Sequence, residues 1–198
     1  MPVLQDGNRG RVVVTLSQED RKFLLAAARG SAAAAAGNER FTLGAVPPSL
    51  QERGASFVTL TSGGGLRGCV GSLSARRSLA QDVTENAQHA AIHDSRFPPV
   101  HPDELEAIRI EVSVLSFPVE RKFKDASDLV ATLGREKPGV VLSSGFHSAT
   151  FLPQVWKQLP EPEEFLSHLC VKAELPPDAW QTGDIRVETY TVEKFEER

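Results

Sequence analysis

The sequence predicts an α+β fold with a largely antiparallel central sheet and flanking helices, on three observations. Helical and strand patterns interleave irregularly, with neither a repeat nor the βαβ rhythm of a parallel sheet. The segment 108–115 alternates strictly, placing Ile108, Ile110, Val112 and Val114 on one side and Arg109, Glu111, Ser113 and Leu115 on the other. Two pairs of strand-like segments are joined by glycine turns, at Gly63-Gly64-Gly65 and at Ser144-Gly145.

The elements follow in chain order. Residues 1–14 are read as a flexible start, its stretch Met1 to Arg11 being polar and containing Pro2, Asp6, Gly7 and Gly10. Ser17 followed by Asp20 marks a helix N-terminus, after which Phe23, Leu24, Ala27 and Ala28 recur at helical spacing. Gly30-Ser31 is expected to loosen this helix before the run Ala32 to Ala36, and Gly37-Asn38 to end it. Pro47-Pro48 marks a loop before a first strand over residues 56–61, rich in β-branched and aromatic side chains, with a return strand over 66–73. Ser74 is a candidate cap for a helix over 78–93, stopped by Pro98-Pro99.

Burying the apolar face of 108–115 would contribute on the order of 6–10 kcal/mol as an upper bound, so this strand is expected to be central. A short helix over 127–133 follows, then a hairpin of strands 139–143 and 147–152. Pro153 suits the first turn of a short helix over 154–158. Residues 163–172 form an amphipathic helix, and 185–195 close the chain as one alternating strand. No segment reads as an interdomain linker, so residues 15–198 are expected to form a single domain, of a length that admits one core with a small lobe.

Composition narrows the function classes. The chain of 198 residues is 40% hydrophobic and 24% charged, with net charge −4, an ordinary globular balance. Positive charge is scattered; only Arg76-Arg77, Arg109 and Arg121-Lys122 stand out, which disfavours nucleic acid as the main partner. The alanine run is far shorter than the roughly 20 apolar residues that span a bilayer. Residues 1–11 do not resemble a signal peptide, and two cysteines, Cys69 and Cys170, cannot build a disulfide scaffold in so long a chain. A cytoplasmic protein with reduced thiols is expected.

The most unusual segment is Leu66-Arg67-Gly68-Cys69-Val70-Gly71. Glycines weaken a strand interior, so Gly68 and Gly71 around a cysteine suggest a bulge or the close approach of another group. That geometry could expose the sulfur beside backbone N–H groups. Alternation sends Arg67 to the opposite sheet face unless a bulge intervenes. A thiol becomes a good nucleophile when cations or oriented N–H groups favour its thiolate, whereas a lone cysteine commonly packs as a small hydrophobe.

This hexapeptide resembles the signature of the AMMECR-domain family, with Val70 in place of the usual isoleucine. Phe57-Val58-Thr59-Leu60 is similar to the family's FVTL strand, and Asp94-Ser95-Arg96-Phe97-Pro98-Pro99 to its D-P-R-F-P-P turn, with Ser95 for proline. Ile110 to Ser116 resembles its IEVSVLS strand. Thr150-Phe151-Leu152-Pro153-Gln154-Val155-Trp156 and Lys172-Ala173 with Leu175 match later blocks; Ser148 replaces an expected glycine. The blocks occur in order over roughly residues 15 to 195. The resemblance implies a smaller subdomain packed on the main sheet and an activity that is not settled. Bacterial members look like the first component of a three-part set with a Memo-like protein and a radical S-adenosylmethionine enzyme, so those two are implied as partners. Memo-like proteins in turn resemble metal-dependent extradiol dioxygenases.

The candidate site therefore has Cys69 as nucleophile or covalent anchor and Glu111 or His147 as proton handler. Arg67, Gly68, Gly71, Asp94 and Arg96 are candidates for substrate binding. Glu111 must face solvent or be paired, either across the Cys69 site or in an ion pair with an arginine. His89 and His93 have a spacing that can hold a metal, yet no glutamate follows His89 and no Cys-x-x-Cys is near; an exposed helix face explains them, and no metal site is assigned. Cys170, Trp156 and Trp180 are expected to be core. No nucleotide fingerprint or other cofactor motif appears, and no residue pattern specifies the oligomeric state. Two function classes remain: a cysteine site that binds or modifies a small molecule or protein side chain, and a non-catalytic adaptor for the two partners. Nucleic-acid binding is a third, opposed by the charge balance.

Overall fold

The computed structural model describes residues 5–7, 11–13, 15–182 and 184–197. The flexible start expected over 1–14 lies largely outside the described residues; within it, β1 (Gln5–Gly7) pairs with β2 (Arg11–Val13). The chain forms two compact units. Among the described residues, the first is built chiefly from 15–116 and 193–197, the second chiefly from 117–182 and 184–192.

In the first unit, α1 (Gln18–Ala36) begins where Ser17 caps it, the Ser17 side chain accepting from the Asp20 N–H. The helix runs unbroken through Gly30-Ser31, contrary to the expected loosening. Gly30 is a packing position: a Cβ there would lie 2.4 Å from the Phe41 ring, and Ser31 binds the Thr84 carbonyl at 2.8 Å. After α1 comes the hairpin of β3 (Arg53–Ser62) and β4 (Gly65–Gly71), turned by Gly63 and Gly64 at positive φ, which other residues adopt at a cost. A two-residue strand, β5 (Arg77–Ser78), pairs with the start of β3.

The helix α2 (Leu79–Ile92) is capped by Ser78, not Ser74. The sequence Ser78-Leu79-Ala80-Gln81 has the Ser-x-x-Gln form of a capping box, a signal more specific than the earlier serine. The strand β6 (Ile108–Leu115) lies inside the five-stranded sheet, next to β3, as its alternation predicts. Ile110 and Val112 are fully buried, and Ile108 and Val114 nearly so. The helices α1 and α2 pack on each other, and with Val58, Leu60, Ile110 and Val112 they enclose the first core.

The second unit opens with β7 (Val119–Glu120), which sequence periodicity did not reveal. It continues through α3 (Ala126–Glu136), β8 (Gly139–Ser144), β9 (His147–Phe151), a 3-10 turn at Pro153–Lys157 and α4 (Pro162–Lys172). Trp156 stacks on Phe165 at 3.7 Å between ring centroids and donates its indole N–H to the Pro138 carbonyl. Trp180 donates to Ser167, and Cys170 is fully buried, so all three residues expected in the core are found there.

The last predicted strand is two. Its first half, β10 (Arg186–Tyr190), pairs with β7 and β8 in a sheet of order β7-β10-β8-β9. After Thr191 the chain enters β11 (Val192–Glu196) beside β6, in a sheet of order β11-β6-β3-β4. One central sheet was expected, and among the described residues two larger sheets are found beside the β1–β2 pair; the class, α+β with antiparallel sheets, is as predicted.

Candidate active site on the five-stranded sheet

The register of the β3–β4 hairpin determines where Cys69 points. Ser62 pairs with Gly65 and Thr61 with Leu66, but Leu60 pairs with Gly68, so Arg67 is an extra residue, a β-bulge. Without that shift Cys69 would stand opposite Val58, which is fully buried against the helices. With it, Cys69 stands opposite Thr59 on the other face. The Thr59 hydroxyl donates to the Cys69 sulfur at 3.4 Å, and the cysteine is half-buried.

Both flanking glycines have a steric reason. A Cβ on Gly68 would come within 2.1 Å of the Ala90 carbonyl oxygen on α2, so the glycine allows the helix to lie close beneath the strand. A Cβ on Gly71 would come within 2.2 Å of the Phe57 ring, which crosses the strand on the Cys69 side of the sheet. The room left by the two missing side chains is therefore occupied, on one face by a backbone carbonyl and on the other by an aromatic ring.

The strand β4 ends this sheet's order on one side, and its outward polar groups need partners. The turn after α2 supplies them. The Asp94 carboxylate accepts the Cys69 N–H at 2.8 Å, and Arg96 Nη2 donates to the Cys69 carbonyl at 3.2 Å. Arg96 is fixed in turn by Asp94, through Nε at 2.9 Å and Nη2 at 2.7 Å. This hydrogen bonding from Arg96 holds the Asp94 carboxyl well below its ordinary value despite burial, with the Cys69 and Arg96 N–H groups adding to it. The Arg96 guanidinium is raised, chiefly by Asp94 against the cost of burial, and then by the Cys69 side chain. The Arg96 side chain is 55% exposed, so its guanidinium faces both the cysteine and solvent.

Arg67 is placed differently. Its Nε and Nη2 bind both Glu104 oxygens, and Nη1 and Nη2 donate to the Pro98 and Pro99 carbonyls. Arg67 therefore locks the proline turn to the bulge. Glu104, bound by Arg67 and by the His101 N–H, has its pKa lowered to about 2.

Thr59 pairs with Cys69 on one side and with Glu111 of β6 on the other. Glu111 accepts from Lys194 of β11 at 2.9 Å and from Ser113 at 3.3 Å. Its ion pair is thus with a lysine, not an arginine. Cys69, Thr59 and Glu111 form one row across three strands, and Lys194 of β11 meets Glu111 at its end. Two strand spacings separate Cys69 from Glu111, roughly 10 Å between backbones, so the carboxylate can act on a molecule lying along the row but does not touch the thiol.

His147 belongs to the second unit, exposed at the start of β9 with Nδ1 4.0 Å from Glu174. His89 and His93 have ring centroids 5.2 Å apart. Burial lowers the pKa of His89, with the His93 and Arg77 charges adding to the shift. Among the described residues no group of three His, Cys, Asp or Glu side chains is arranged to hold a metal ion, and no helix is long and apolar enough to cross a membrane. Sequence reading missed Thr59, Glu104 and Lys194; the first depends on the bulge, and the other two on contacts distant in sequence.

A family model described as AMMECR1 matches residues 25–195, across both units. The chain belongs to the AMMECR1 family. A protein from Methanosarcina acetivorans is 37% identical over 178 residues, 88% of this chain and 84% of that one. One from Thermococcus gammatolerans is 39% identical over 163 residues, 76% of each. The crystal structure of an uncharacterized protein from Pyrococcus horikoshii superposes with a TM-score of 0.77 at 31% identity, covering 92% of this chain and 94% of that one. The family resemblance read from the hexapeptide and its companion blocks, and the α+β class read from the helix and strand patterns, agree with these likenesses. Within the AMMECR1 chain, the hexapeptide is the bulged strand that turns Cys69 toward Thr59.

Proposed function

We propose that this AMMECR1 protein uses the outer face of its five-stranded sheet as a cysteine-centred site that binds or modifies a small molecule or a protein side chain. The observation that carries the reading is the pinned arginine: Asp94 holds Arg96 against Cys69, and the guanidinium side chain remains more than half exposed. A cation fixed beside a thiol favours attack by sulfur and can stabilise negative charge forming on the molecule attacked. For an electrophilic carbonyl, the thiol proton leaves to solvent and the sulfur pair forms the C–S bond. The carbonyl π pair moves to oxygen, near the Arg96 guanidinium, and that oxygen is then protonated. Glu111, with Lys194, would orient the far end of the molecule. Arg67, Gly68 and Gly71 support this site by shaping the strand and its turn.

The wider assignment, to a pathway with a Memo-like protein and a radical S-adenosylmethionine enzyme, rests on the family resemblance. Wild type and Cys69→Ala are to be compared for molecules retained from cell extract, read by mass spectrometry. A species held by wild type, shifted in mass when covalent, and absent from the variant supports the site. Identical retention by both proteins removes it.

One observation favours an adaptor as the second reading. Phe146, at the tip of the β8–β9 hairpin beside His147, is fully exposed, an unusual position for a large apolar ring. Loss of partner capture in Phe146→Ser, with Cys69→Ala unaffected, would favour docking over chemistry.

A further inference from the structure

Past Gly71 the chain bends through residues 72–76 before β5. The bend encloses a groove of about 350 Å³ lined by Ser72, Leu73, Ser74, Arg76 and Arg77. None of these five residues is a carboxylate, although Asp82 and Glu85 bind Arg77. Arg77 is immobilised: Nε donates to Asp82 at 3.0 Å, Nη2 to Ser72 at 3.3 Å, and Nη1 pairs with Glu85. Asp82 is itself buried and held by Ser56 and Asn86, so the Arg77 guanidinium has a fixed orientation. A guanidinium has five N–H donors, and three of these are engaged, which leaves donors for a ligand.

Arg76 is the opposite case. It is exposed, and among the described residues its side chain has no ion pair or hydrogen bond, unlike most arginines in this chain. The Ser74 hydroxyl, also exposed, is likewise without a partner. A free cation, a fixed cation and two hydroxyls around one concavity are the donor set that a tetrahedral oxyanion satisfies from several directions.

We propose that this groove binds a phosphate group, free or as the monoester of a small molecule. The site is separate from the Cys69 row and does not depend on the function proposed for it.

The test is a titration of the full-length, ¹⁵N-labelled chain at low, constant ionic strength with inorganic phosphate, O-phosphoserine and acetate in separate arms, in wild type, Arg76→Ala, Arg76→Lys and Cys69→Ala. Saturable shifts of the Ser72, Ser74 and Arg76 amides are expected with the phosphates and much weaker ones with acetate. Arg76→Ala should weaken binding about tenfold, as loss of a charged hydrogen bond does, with partial recovery in Arg76→Lys and none of the loss in Cys69→Ala. Tighter binding of phosphoserine identifies the monoester, and tighter binding of inorganic phosphate the free ion. Equal response to acetate, shifts mapping outside residues 72–79, or unchanged affinity in Arg76→Ala would each overturn the proposal.

Discussion

Thr59 stands directly opposite Cys69, and its hydroxyl lies 3.4 Å from the sulfur. The pairing exists because Arg67 is one residue more than a regular ladder accommodates. Its insertion turns the sulfur away from the face where Val58 is buried. The Thr59 hydroxyl and the Arg96 guanidinium then approach Cys69 from two different elements.

Replacing Thr59 by valine removes the hydroxyl and keeps the shape. The rate of Cys69 alkylation by iodoacetamide at neutral pH should fall by roughly two- to tenfold, the worth of one modest hydrogen bond, with little change in melting temperature. An unchanged rate would show that the hydroxyl does not influence the sulfur.

Arg96→Gln removes the cation and one partner of a buried carboxylate. Alkylation should slow by roughly tenfold and become less sensitive to salt, while stability falls by about 1–3 kcal/mol because Asp94 is left with fewer donors. Urea unfolding and alkylation kinetics measure the two effects separately.

The two glycines of the motif should respond differently to alanine. Gly68→Ala drives a Cβ against the Ala90 backbone and should cost about 1–3 kcal/mol whatever else is changed. Gly71→Ala meets the Phe57 ring, a side chain, so its cost should largely vanish in a Phe57→Ala background. Thermal unfolding of the double-mutant cycle checks this; additivity would contradict the close approach of ring and strand.

Acid should act through the turn that covers β4. The folded-state pKa of Glu104 is about 2 against an ordinary 4.5, and Asp94 is depressed from 3.8. Both groups bind protons more readily in the unfolded chain, so their stabilisation is full above about pH 4.5 and is lost as pH falls toward 2. Asp94→Asn should flatten the stability profile over that window. An unchanged slope would remove the carboxylate from the account.

Much of the fold was legible because its signals are local. The alternation of Ile108 to Val114, the Ser17 cap and the Gly63-Gly64 turn each depend on a few neighbouring residues, and each was found where expected. Two features were not legible. Nothing at Thr191 is a breaker, so the division of the last strand between two sheets follows from pairing partners far away in the chain. The bulge at Arg67 is of the same kind: glycine in the strand suggested one, but its position is fixed by α2 beneath Gly68 and by Glu104 and Pro98 around Arg67. Asp94 and Arg96 were found through family resemblance, and their role as caps on the cysteine's own backbone depends on contacts distant in the chain.

The most direct measurement is the alkylation of both cysteines in the folded protein at neutral pH, followed by peptide mass spectrometry. Cys69 should be labelled while Cys170, fully buried in the second core, stays unmodified until the protein is unfolded. Protection of Cys69 equal to that of Cys170 would mean that the sulfur is closed to reagents, and the cysteine-centred site would have to be abandoned.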